Sequence, residues 1–213
     1  MTFDDSYRRI RLAFDHLIER TPHRWDVAPR PPPSKVAQLI DEAGPLAPGL
    51  QAYFDCCNGV SVRGDDSGIH QLFSIEDMLR IDTPGFFAIS HDGCGDYILV
   101  ARDLEVGAGA VLFLEHEGCY LSSLFASSLT IYVEDWVAGA SPHRNREGLD
   151  DPAAQALLRD QRFVAQLGPD GSARVALEYV DPTGKVRYGR HPATGERLQI
   201  VPRRKRRRSL NEQ

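Results

Sequence analysis

Apolar positions first recur along the chain at helical spacing. Tyr7, Ile10, Phe14, Leu17 and Ile18 make one stripe on an otherwise charged segment, which predicts a helix closed by Thr21-Pro22. The stretch APRPPPS (28–34) reads as a stiff connector. Ser34 is then placed to cap a short helix that buries Val36, Leu39 and Ile40. GPLAPGLQAYFDCCNGV (44–60) enters a third helix through Pro-Gly, sets Leu50, Tyr53, Phe54 and Cys57 on one face, and stops at Asn58-Gly59, where a left-handed residue fits. In LFSIEDMLRI (72–81), Ser74 stands three residues before Asp77, the spacing of a capping box with Asp in the place of Glu.

The period then changes. FFAIS (86–90), DYILVA (96–101) and GAVLFLEH (109–116) are short, apolar and bounded by Gly or Asp, which predicts successive antiparallel strands burying alternate residues. A closing helix is expected over 126–138, with Leu129, Tyr132, Val133, Trp136 and Val137 on one stripe and Gly139 at its end. Helices, then sheet, then helix predict an α+β fold, an antiparallel β-sheet flanked by helices, and not alternating βαβ units. After Ser141-Pro142 a polar linker leads to a helical piece at 152–167. Strand-like runs follow at 173–180, 185–191 and 197–201, split by the turns DPTG and PATG. The expected division is an α+β domain over 1–141, a β-rich extension over 142–202 and a basic, disordered tail over 203–213.

Composition narrows the class. Hydrophobic residues at 42% and charged residues at 26% describe an ordinary globular protein, and no apolar run approaches the ~20 residues of a membrane helix. The charged opening MTFDDSYRRIRLAFD has no signal-peptide core, so a cytoplasmic location is expected, with no membrane partner. Four cysteines without a CxxC pair fit reduced thiols. The net charge of −5 conceals a polarity. Residues 1–141 hold 10 Lys and Arg against 21 Asp and Glu, a net −11, whereas 142–213 hold 15 against 9, a net +6. An acidic body with a basic tail suits different partners at its two ends.

HDGCGD (91–96) has the residue types of a reactive loop. Zinc, however, takes three or four ligands, usually from more than one element, and no second His or Cys cluster stands elsewhere in the chain. A Cys nucleophile needs a His base that a third group orients, which adjacency does not supply. The residues instead describe a hairpin turn, with Gly93 and Gly95 taking positive φ and Asp92 accepting backbone N–H groups. Neither a catalytic residue nor a metal or other cofactor is expected.

The order of these pieces carries a likeness: PGLQAYFDCCNG (48–59), LFSIEDML (72–79), FFAISHDGCGDYILVARD (86–103), GAVLFLEHEG (109–118), and a closing helix through Trp136. Together they resemble the SUKH superfamily, known chiefly as bacterial immunity proteins and also as eukaryotic cell-wall and signalling regulators. The likeness spans roughly residues 5–140. It departs where the family has Leu-Pro directly before the helix and this chain reads Leu46-Ala47-Pro48. The resemblance implies a binding protein, not an enzyme, that docks on a cognate toxin and neutralises it.

Asp65, Asp66, Asp92, Asp96, Asp103, Glu105, Glu115 and Glu117 fall at or near predicted strand ends. They are the candidate partner-binding residues for a basic toxin, because clustered carboxylates steer a basic partner and speed its association. Tyr97 and Tyr120, with Tyr53 and Trp136, are candidate aromatic anchors. A different reading attaches to the tail. VRYGRHPATGERLQI (186–200) resembles the DNA-binding arm of the HU/IHF nucleoid proteins: Gly189, Arg190, Pro192, Thr194, Gly195 and Glu196 match, and His191 replaces Asn. The resemblance implies a nucleic-acid-associated adaptor that uses Arg187, Arg190 and Pro192. Independently of it, Arg203, Arg204, Lys205, Arg206, Arg207 and Arg208 form a cationic run attractive to any polyanion. A generic turn and a solvated tail are the alternatives.

Overall fold

The computed structural model describes residues 1–64, 71–81, 86–102, 107–115, 120–139, 151–164, 187–190 and 197–200. Its first helix, α1 (Phe3–Arg20), is capped at Thr2 and ends at Thr21, as the stripe and Thr-Pro predicted. The second, α2 (Pro33–Ala43), begins two residues earlier than a cap at Ser34 would place it. Pro32 is its N-cap and Pro33 its first residue, so the pre-set φ of proline starts the helix and Ser34 lies inside the first turn, not at the cap. Leu39 is buried there, whereas Ile40 is exposed. The third, α3 (Pro48–Cys56), buries Leu50, Tyr53 and Phe54, and Cys57 follows them into the core. The fourth, α4 (Ile75–Arg80), has the complete capping box: Ser74 Oγ accepts from Asp77 N, and the Asp77 carboxylate accepts from Ser74 N.

Four strands form an antiparallel meander, β3 (Phe86–His91), β4 (Tyr97–Ala101), β5 (Val111–Glu115) and β6 (Tyr120–Ala126), each paired with the next. Two short strands, β1 (Trp25–Val27) and β2 (Val60–Val62), pair with each other. Residues 71–73 connect the groups. Leu72 exchanges backbone hydrogen bonds with Val60 at 2.8 and 3.0 Å, and Phe73 N donates to Ile89 O at 2.8 Å. Residues 71–73 therefore link the two-stranded sheet to β3 of the four-stranded one.

The closing helix, α5 (Leu129–Val137), starts later than expected because 120–126 is strand and Ser128 is the N-cap. Ser122-Ser123 interrupts the apolar alternation of β6, and pairing with β5 across two register shifts supplies what the local pattern lacks. The expected alternation of burial also fails. Phe86–Ser90, Ile98–Ala101 and Val111–Leu114 are buried without a break, which requires cover on both faces of the sheet.

Helices α1, α3 and α5 pack together. Phe14 meets Tyr53 edge-on at 6.2 Å, and the Tyr53 hydroxyl donates to Phe73 O at 3.1 Å. Arg9 on α1 makes a two-pronged pair with Glu134 on α5, at 2.8 and 2.5 Å. Trp136 is half-buried against Trp25, with ring centroids 5.1 Å apart.

The helical piece after the linker shares this core. It comprises α6 (Pro152–Arg159) and α7 (Gln161–Val164). Asp151 caps α6 by accepting from Ala154 N, and its carboxylate also accepts from Ser127 Oγ. Ala154 and Phe163 are fully buried. Farther on, β7 (Arg187–Arg190) and β8 (Arg197–Ile200) form an antiparallel hairpin within the expected strand runs. The strand expected at 173–180 and the tail at 203–213 lie outside the described residues.

The thiols inside the core carry a pH dependence. Burial pushes Cys57 up to about 12, and Tyr53 beside it is also raised by burial. An unfolded thiol ionises near ~8.5, so between there and about 12 the unfolded chain gives up a proton that folded Cys57 retains. Stability is complete below the lower value and falls as pH rises, by about 1.4 kcal/mol per unit for each such group. Urea midpoints measured from pH 8 to 11 will fall, and Cys57→Ala will flatten that slope by close to one proton's worth. Identical slopes in the two proteins would contradict the assignment.

Candidate functional site

The meander brings part of the predicted set to one end. Strand β3 runs up to His91, the turn 92–96 reverses the chain, and β4 descends from Tyr97; β5 then rises to Glu115 and β6 descends from Tyr120. The register pairs His91 with Tyr97, Tyr97 with Leu114, and Glu115 with Tyr120. Asp92, Asp96, Tyr97 and Glu115 are therefore neighbours at the upper end of the sheet, each partly exposed, with the backbone of Tyr120 in the same row.

The β4–β5 connection, which holds Asp103 and Glu105, leaves from the opposite end of the sheet, and Asp65 and Asp66 follow β2. These four, like Glu117, lie outside the described residues, as do Pro192, Arg203, Arg204, Lys205, Arg206, Arg207 and Arg208. Tyr53 is fully buried and belongs to the core, so it is not a surface anchor.

The turn is built as a hairpin. Asp92 Oδ1 accepts from Cys94 N at 2.8 Å and from Asp96 N at 3.1 Å, while Asp92 N donates to Asp96 O at 3.2 Å. Gly93 and Gly95 have φ of 83° and 109°, as the turn demands. His91 Nδ1 accepts from Gly93 N at 3.0 Å, and its ring lies 5.6 Å from Phe73. The polar groups that suggested chemistry are thus engaged by the turn's own backbone, and Cys94 stands exposed at its tip. Among the described residues, no three His, Cys, Asp or Glu side chains are grouped to hold a metal ion.

Charge is distributed more unevenly than the halves of the chain suggest. From residue 81 to 143 there are nine Asp and Glu and one cation, Arg102, a net −8. Arg102 follows the lower end of β4, where its guanidinium lies over the Phe87 ring at 5.5 Å. The strands that form the upper end contain no Lys or Arg. Away from the sheet, cations of the first 80 residues pair locally: Arg63 with Asp26 at 2.7 Å, Arg30 with Asp55, and Lys35 with Glu76 at 3.7 Å. The hydrogen bond from Asn58 Nδ2 also lowers the Glu76 carboxyl below its ordinary value. The upper end of the meander therefore holds partly exposed carboxylates and one partly exposed tyrosine. The count over 81–143 was legible in the sequence, but the gathering at one end needed the strand register.

Among the described residues, no helix is long and apolar enough to cross a membrane. No protein-family model matches the chain, and the search of curated proteins finds no match.

Proposed function

We propose that this chain is a SUKH-like immunity protein that acts in the cytoplasm by binding a basic toxin and covering its active surface. The observation that carries the reading is the upper end of the meander, whose strands contain no Lys or Arg and which holds Asp92, Asp96, Tyr97 and Glu115, each partly exposed. The ordered motifs over residues 5–140 support it, and so does an α+β arrangement of helices against an antiparallel sheet. Carboxylates on such a surface steer encounter, and a half-buried tyrosine contributes contact area at low entropic cost.

The test begins with capture of the partner on the tagged full chain, at ~0.15 M salt, where exposed charges are screened beyond ~8 Å. One stoichiometric basic protein, whose toxicity to cells is abolished by co-expression of this chain, is the expected outcome. Against that partner, Asp96→Lys with Glu115→Lys will slow association about tenfold or more and change dissociation less. Asp92 is left intact because the turn uses its carboxylate. Unchanged association by a folded variant would move the interface elsewhere. A captured protein whose activity is unaffected would remove the immunity reading.

A further inference from the structure

We propose that His91 is a pH-sensitive clamp that sets both the shape and the charge of the acidic end of the sheet. The inference rests on the docking role assigned to that end, and it supplies a means of regulating it. His91 is half-buried at the last position of β3, opposite Tyr97. Its Nδ1 accepts from Gly93 N at 3.0 Å, so the ring in this geometry is neutral and carries its proton on Nε2. The ring also lies 5.6 Å from Phe73, a contact that limits its rotation.

Histidine is the side chain whose ordinary charge change falls between pH 5 and 8. An imidazolium has a proton on each nitrogen and cannot accept from Gly93 N. Protonation therefore removes this bond and sets a donor against a donor. The bonds from Cys94 N and Asp96 N to Asp92 Oδ1 do not involve the ring, so the turn loosens at Gly93 without coming apart.

Charge changes in the same step. Asp92 and Asp96 belong to the same turn, and Tyr97 faces His91 in the register. Glu115 lies two strands away, about 10 Å at the usual strand spacing. The connection Gln71–Phe73 beside β3 holds no charged residue. Helix α4 also packs against β3, and its charged groups are engaged locally: Asp77 with Ser74 and Arg80, Glu76 with Asn58 and Lys35. His70 lies outside the described residues. An imidazolium at His91 thus offsets one of three carboxylates, at an end whose strands hold no Lys or Arg. A cationic partner binds the neutral form better, so docking releases a proton and weakens as pH falls.

The experiment follows the full chain by NMR from about pH 8 down to 5.5, with His91→Gln as the variant. In the wild type, the Gly93 amide and the His91 ring should shift with one midpoint, and Gly93 should lose its protection from exchange below it. Broadening of the 93–97 amides by a small cationic nitroxide should fall by about twofold over that range, and should stay level in the variant. Against the captured partner, wild-type association should slow by about twofold more than that of the variant. A Gly93 amide that does not follow the His91 titration overturns the clamp. Equal pH dependence of nitroxide broadening in the two proteins overturns the charge effect. Where His91→Gln does not fold, the wild-type amide and ring titrations still decide the clamp. Failure to capture a toxin would remove the docking role, while both NMR results would stand on their own.

Discussion

Phe163→Ala is expected to lower the unfolding free energy of the whole chain by about 3–5 kcal/mol, and its melting temperature by roughly 10 °C for a chain of this size. The size of the effect follows from where the ring lies. Phe163 is 0% exposed although it lies beyond the polar linker. A Cβ built on Gly107 would lie 2.7 Å from the Phe163 ring, so the ring occupies the space that a larger residue at 107 would need. Truncation leaves a cavity beside Gly107, where the ring now lies. Asp151 holds the near end of the same segment through Ala154 N and Ser127 Oγ, so α6 and α7 are anchored at both ends. Urea denaturation of the full chain measures the loss. Leu158→Ala is the comparison, since Leu158 is 36% exposed and its truncation should cost about 1 kcal/mol or less. Equal, small losses from both variants would mean that the helices contribute little to the stability of the body.

Gly59→Ala is expected to cost about 2–4 kcal/mol, from two additive causes. Gly59 has φ of +109°, a region that residues with a Cβ avoid. The added Cβ would also lie 3.2 Å from Ser74 N and 3.3 Å from Leu72 O. Both atoms are backbone and both are held: Leu72 pairs with Val60, and Ser74 is the N-cap of α4. Neither can give way as the end of a flexible side chain would. The preceding residue tightens the junction further, because Asn58 Oδ1 accepts from Ile75 N and Asn58 Nδ2 donates to Glu76. Thermal unfolding of the variant tests this directly, and a change below about 1 kcal/mol would show that the junction relaxes freely.

That junction combines a local signal with a distant one. Asn58-Gly59 was legible as a helix stop, and Gly59 does take positive φ. Its more important role, joining α3 to the start of α4, depends on Ile75 and Glu76, 17 and 18 residues away. HDGCGD was legible in full, since Asp92, Gly93 and Gly95 act within a span of five residues. Ser74 and Asp77 were legible for the same reason. Ser34 misled because a capping residue type stood beside prolines that start the helix two residues sooner. Strand β6 was missed because two serines break its pattern, and β1 and β2, three residues each, have too little pattern to detect.

By itself the sequence determined the α+β class, helices α1 to α4, the first three strands of the meander, the hairpin turn, and an acidic body followed by a basic end. Each depends on periodicity, capping or turn chemistry acting over a few residues, or on a simple count of charges. Only the tertiary structure decided that the sheet is covered on both faces, that Phe163 closes the core, and that Asp92, Asp96, Tyr97 and Glu115 meet at one end. Those outcomes depend on contacts between residues far apart in the chain. Burial and strand register arise from the partner an element finds, and no local window of sequence contains that partner.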